Sequence, residues 1–119
     1  MRTLEIINLT PHDVVLLYAT SNKIKYIFSK HNKAPRCEFH TETEETVLLK
    51  GTDITVPLSY TKYGKTIELP EPRSFTVYIV SDIIAKMLSH IRDDLRICNG
   101  IVRDQRSGKV IGCKSLGRI

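Results

Sequence analysis

One stretch constrains the fold more than any other, the run from residue 75 to residue 91. Residues 75–80, FTVYIV, are β-branched and aromatic types that fit a pleated, half-buried surface, and they predict a strand. Ser81 follows as a helix-capping residue type, with Asp82 in the first turn, where a carboxylate suits the helix dipole. Ile83, Ile84, Met87, Leu88 and Ile91 then recur at i, i+1, i+4, i+5 and i+8, one apolar face of an amphipathic helix near 82–91. Ile84, Met87, Leu88 and Ile91 are expected to face a sheet, with Met87 as core filler.

The other segments carry strand patterns broken by turn chemistry. Residues 4–8 predict a first strand, ended by Asn8, Thr10, Pro11 and Asp13; the prolyl ring pushes Thr10 toward extended geometry, and the three polar side chains suit a turn. Residues 14–19 and 24–28, joined through Ser21 and Asn22, read as a hairpin. Residues 30–36 read as a loop. Strands are expected at 46–49 and 54–60 around a turn at Gly51, Thr52 and Asp53. A tight turn at Tyr63, Gly64 and Lys65 is expected to lead into a strand at 66–69, with a loop at Pro70, Glu71 and Pro72. Residues 95–98 are short and extended, and 101–104 with 109–113 bracket a hairpin turn in which Gly108 supplies a positive φ. The pattern predicts an α+β fold, a small, mainly antiparallel β-sheet domain with one amphipathic helix, occupying residues 1–119 as a single domain.

With 119 residues, 41% hydrophobic and 26% charged, the chain has enough apolar surface to fold around one core without disulfides or metal. Cys37, Cys98 and Cys113 are odd in number and widely spaced, which is no disulfide framework; reduced, buried structural thiols are expected. Arg2 and Glu5 place charge ahead of any apolar stretch, and no apolar run approaches a membrane span of about 18 residues. A cytoplasmic protein without membrane contact is expected.

The net charge of +5 is uneven. Residues 92–119 hold seven basic residues and three acids, a net +4. Such a stretch is either a solvated basic face or an attractor of anions. Arg103, Lys114 and Arg118 stand among glycines and polar residues, including Asn99, and are candidate phosphate ligands. Alternatively, Arg103 and Lys109 pair with Asp104 on a protected sheet edge. Thr10 and His12, with Asp13, carry the same duality: they form a turn, or they offer hydroxyl, imidazole and carboxylate to a sugar or base edge.

No phosphate-binding glycine loop, paired metal-ligand spacing or activated nucleophile is present, and His12, His31, His40 and His90 are scattered. No catalytic residue, metal or cofactor is therefore expected. Tyr18, Tyr26, Tyr60, Tyr63 and Tyr78 are candidates for stacking on a base, Tyr60 and Tyr63 above all because they flank Lys62.

The opening Asn8, Leu9, Thr10, Pro11, His12, Asp13 and Val14 resembles the NLTPHEV start of a family of small phage and prophage proteins. The similarity continues through Leu69, Pro70, Glu71 and Pro72, then Tyr78, Ile79, Val80 and Ser81, and closes on Val102, Arg103 and Asp104 with Ile111, Gly112 and Cys113. Residues 23–47 match least. The resemblance implies a phage setting rather than an activity. Together with the basic, motif-poor sequence it leads to three expectations. The first is a non-enzymatic, homo-oligomeric binder that sequesters an anionic nucleotide signal of host immunity, such as a cyclic nucleotide. The second is a nucleic-acid- or protein-binding modulator of host or phage machinery. The third is a nucleotide-processing enzyme.

Overall fold

The computed structural model describes residues 1–31, 37–66 and 69–119, the side chains of 37–39 and 63–66 excepted. The expected loop at 30–36 and strand at 66–69 therefore fall largely outside the described residues. The structure is mostly β-sheet with one short helix. Its elements are β1 (Glu5–Asn8), β2 (Val14–Leu17), β3 (Ile24–Phe28), β4 (Cys37–Leu48), β5 (Thr55–Thr66), β6 (Thr76–Ile79), α1 (Asp82–Leu88), β7 (Leu95–Arg103) and β8 (Val110–Gly117). The described residues form two compact units. One is the β4–β5 hairpin, and the other contains the remaining elements.

The larger unit is a six-stranded sheet in the order β1-β6-β7-β8-β2-β3. The hairpins β2–β3 and β7–β8 are antiparallel as their turns predict, and Gly108 holds φ 71° in the second. β1–β6, β6–β7 and β2–β8 run parallel, so the sheet is mixed. The β6–β7 pair is parallel because α1 carries the chain back across the sheet between them, the connection parallel strands require. The core lies on Val14, Ile79 and Cys113, with Ile6, Leu16, Phe28, Cys98 and Leu116 packed against them. All four residues of β6 are buried, Thr76 among them, as in a strand covered on both faces.

Ser81 stands at the helix N-cap with extended backbone but makes no side-chain capping bond. The helix ends at Leu88, sooner than the apolar stripe suggested. Ile84 and Ala85 are buried, Met87 and Leu88 half-buried, and Ile91 is 65% exposed. The stripe fails at Ile91 because the chain has already left the helix: Ile91 and Arg92 both donate backbone N–H groups to the Leu88 carbonyl in a closing turn. Ile84→Ala is therefore expected to destabilise by about 2–5 kcal/mol, and Ile91→Ala by less than about 0.5 kcal/mol. Thermal unfolding of the two variants would check this, and equal losses would contradict the placement of the helix.

Arg92 instead turns inward. Its guanidinium donates to both Asp94 oxygens at 2.9 Å and to the Pro70 carbonyl at 2.9 Å, fixing the loop before β6. The Arg92 hydrogen bonds hold the Asp94 carboxyl below its ordinary 3.8, against the opposing effect of burial. A carboxyl lowered by folding stabilises the fold above its unfolded value, and that stabilisation disappears as pH falls through the folded value. The wild-type urea midpoint should thus drop as pH falls below about 5, with a shallower drop in Arg92→Met. Parallel pH profiles would contradict this role.

In the second unit, β4 and β5 form one long antiparallel hairpin from Cys37↔Thr66 to Leu48↔Thr55. Its turn has Gly51 at φ 80°, and Thr52 Oγ1 donates to the Leu49 carbonyl. The turn expected at Tyr63, Gly64 and Lys65 does not exist: β5 runs on through them to Thr66. The ladder with β4 is irregular there, between Cys37 and Phe39, but β5 continues past Gly64 where sequence alone suggested a turn.

Candidate functional site

The loop after β1 is built around Asn8, which is 2% exposed. Its Nδ2 donates to the His12 carbonyl at 2.7 Å and to the Phe28 carbonyl at 2.8 Å. Its Oδ1 accepts from the Thr10 N–H at 2.9 Å and lies 2.7 Å from Thr10 Oγ1. The Phe28 bond joins the end of β1 to the end of β3, so the two outer strands of the sheet meet at this point. Asp13 Oδ1 accepts the Lys30 N–H at 2.9 Å and holds the other side of the turn. The Thr10, Pro11, His12 and Asp13 segment is thus a scaffold in its own right.

That scaffold is also the lip of a cavity of about 570 Å³. Thr10, Pro11, His12 and Asp13 line one side, Ser81 and Asp82 another, and Val14 and Val15 of β2 a third. Cys98 and Ile101 of β7, with Val110, Ile111, Gly112 and Cys113 of β8, complete the wall. The position lies beyond the carboxyl ends of the parallel strands β1 and β6, where open α/β sheets place their ligands. The walls are apolar and the rim is polar, the usual make-up of a small-molecule site. The His12 ring is exposed, and neither it nor the Asp82 carboxylate makes a side-chain hydrogen bond among the described residues.

Cys98 and Ile101 both reach this cavity although they are three residues apart on one strand, which strict alternation forbids. Gly100 lies between them at φ 65°, and the left-handed residue resets the alternation. Cys98 and Cys113 are free thiols. Burial, reinforced by Cys113, pushes the Cys98 thiol up to about 12. At neutral pH it is protonated and a poor nucleophile. Among the described residues no group of three or more His, Cys, Asp or Glu side chains could hold a metal ion. His40 instead pairs with Glu42 at 2.9 Å, and Glu42 accepts from Tyr60 Oη at 2.6 Å.

The other residues singled out from the sequence lie elsewhere. Asn99 is on β7 opposite Ser115, beside Gly117, and does not line the cavity. The Lys114 ammonium donates to the carbonyls of Tyr18 (2.7 Å) and Ser21 (2.6 Å), with Asn22 Oδ1 at 3.3 Å. It closes the β2–β3 turn, and its donors are taken. Arg103 donates to the Gly108 carbonyl at 3.0 Å within its own hairpin. Asp104, expected to pair with Arg103 or Lys109, accepts the Ser107 and Arg106 N–H groups instead, and these bonds lower its pKa. Arg118 lies at the far end of β8 from Arg103, roughly 25 Å away at about 3.3 Å per residue. There it is close enough to Arg96 for its charge, with that of Arg2, to add to burial in lowering the Arg96 pKa. The basic tail therefore does not converge on one anion site: Arg103 and Arg118 stand at opposite ends of the β7–β8 ladder, and Lys114 between them is engaged by the β2–β3 turn.

Of the tyrosines, Tyr78 is buried in β6, Tyr26 packs on Phe28 at a centroid distance of 4.8 Å, and the Tyr63 side chain is outside the described residues. Sequence reasoning found Thr10, His12 and Asp13 but not Asp82, Cys98, Ile101 or Ile111 as cavity residues. A signal for Asp82 was present in its place directly after a buried strand.

Comparison of the chain with protein-family models, with curated proteins and with solved structures finds no match. No helix among the described residues is long and apolar enough to cross a membrane.

Proposed function

We propose that this protein is a non-enzymatic binder that takes the base-and-sugar end of a small nucleotide into the cavity between the Thr10–Asp13 turn and the start of α1. The observation that carries the reading is an apolar cavity whose rim holds two polar side chains, His12 and Asp82, without hydrogen-bond partners among the described residues. A flat base would bury its faces against Val14, Ile101 and Ile111, while carboxylate and imidazole meet exocyclic amines or ribose hydroxyls. Among the described residues no Lys or Arg lines the cavity, and Asp13 and Asp82 stand at its rim. Phosphate groups would therefore remain outside, drawn to the molecule by its +5 charge at long range. The protonated Cys98 thiol supports capture rather than covalent chemistry.

In the phage setting that the resemblance implies, the ligand proposed is a nucleotide signal of host immunity, with sequestration as the outcome. Native mass spectrometry of the protein recovered from cells with and without an active nucleotide-signalling defence tests this. Added mass matching a nucleotide, found only with the defence active, is the expected result. Identical bare masses from both cells would overturn the sequestering role. A nucleic-acid-binding modulator is the competing reading, and it predicts DNA or RNA binding with a steep salt dependence instead.

A further inference from the structure

We infer that the protein assembles with a second copy of itself by pairing β4 of one chain with β3 of the other. β3 is the last strand of the six-stranded sheet, so among the described residues one of its backbone edges has no ladder, although Asn8 takes the Phe28 carbonyl at its end, and Ile24, Tyr26 and Ile27 on it are exposed. β4 belongs to a separate, two-stranded sheet, and among the described residues its outer edge likewise has no ladder. Unpaired edges of this kind are templates for another chain. An isolated two-stranded hairpin is marginal in water, yet this one has twelve-residue strands and exposes Leu48, Leu58 and Tyr60.

Charge selects the partner. Residues 37–66 hold five acids and three bases, net −2, whereas the rest of the chain holds fifteen bases and eight acids, net +7. The opposition is sharpest at the two edges. Residues 23–30 carry Lys23, Lys25 and Lys30 and no acid; residues 42–48 carry Glu42, Glu44 and Glu45 and no base. Opposite charges across a strand pair stabilise it, and like charges oppose it. A β3–β3 or β4–β4 pairing would set like against like, so the charges specify β4 on β3. Because each chain offers both edges, two copies can exchange β4 strands reciprocally and close the assembly.

Charge-swapped full-length variants test the inference. Light scattering after size exclusion should give the wild type at least twice its 13.6 kDa chain mass at about 100 µM. Glu44→Lys with Glu45→Lys, and separately Lys23→Glu with Lys25→Glu, should each give monomers that keep the wild-type circular dichroism. An equimolar mixture of the two should assemble again, because every β4–β3 pair in a mixed dimer is complementary. A monomeric wild type, variants that stay assembled, or folded variants that do not recover on mixing would overturn the inference. Should a variant fail to fold, amide exchange in the wild type decides: exchange along β3 must slow as protein concentration rises, and concentration-independent exchange overturns the pairing.

Discussion

Replacing Asn8 by alanine is expected to destabilise the protein by about 3–4 kcal/mol, since several buried hydrogen-bonding groups lose their partner at about 1–3 kcal/mol each. The substitution removes the bonds to the Thr10 N–H and to the His12 and Phe28 carbonyls at once, in a site only 2% exposed. The Phe28 bond ties β1 to β3, so its loss also frees the two outer strands where they meet. Thr10→Val removes one hydroxyl from the same network and should cost about 1 kcal/mol, the ordinary net value of a hydrogen bond. Urea unfolding of both variants gives the comparison. An Asn8→Ala loss no larger than that of Thr10→Val would show that the turn does not depend on the amide.

Gly112→Ala is expected to be the most damaging single-methyl addition, at about 2–3 kcal/mol or more. A Cβ at Gly112 would stand 2.7 Å from the Val15 carbonyl oxygen and 2.8 Å from Leu17 Cγ. The nearer obstacle is backbone, so no rotamer change relieves it, and β8 must separate from β2 beside the Leu16↔Cys113 pair. Gly112 also lines the cavity, so the variant should lose ligand capture along with stability. Gly108 is the control. No atom lies within 4 Å of a Cβ there, so Gly108→Ala meets only the strain of its φ of 71°. Thermal melts of the two variants check the order, and a smaller loss at Gly112 would contradict the close approach of β8 to β2.

Much of this architecture is legible in the sequence where the signal is local. The β6–Ser81–α1 unit is visible because a buried strand and a helical stripe each carry their own period, and the β2–β3 and β7–β8 hairpins because short polar or Gly-containing turns separate their strands. The stripe overran the helix at Ile91, since the turn on the Leu88 carbonyl is set by the inward pull of Arg92 on Asp94 and Pro70, residues it meets only in the fold. Gly64 suggested a turn, but β5 runs on past it and shows only an irregularity in its register with β4. The parallel pairings are illegible for a related reason: β1 meets β6 across some seventy residues of chain. Half of the candidate site was readable. Thr10, His12 and Asp13 announce themselves as a polar turn, whereas Cys98 and Ile101 reach the same cavity only through the left-handed Gly100. The basic tail misled because a count of charges along the chain does not show that Arg103 and Arg118 stand at opposite ends of one ladder.

Calorimetric titration of the wild type with a nucleoside, its monophosphate and a cyclic dinucleotide tests the binding site most directly, repeated with His12→Ala and Asp82→Asn. The His12 ring makes no hydrogen bond among the described residues and Asp82 adds only its charge at the start of α1, so His12→Ala should melt like the wild type and Asp82→Asn should lose no more than about 1 kcal/mol. The nucleoside alone is expected to bind, phosphate to change its affinity little, and each variant to weaken binding about tenfold or more, as for a hydrogen bond to a charged group of about 1.5–3 kcal/mol. Binding that requires phosphate, survives both substitutions unchanged and falls in Arg118→Ala would contradict the proposed site.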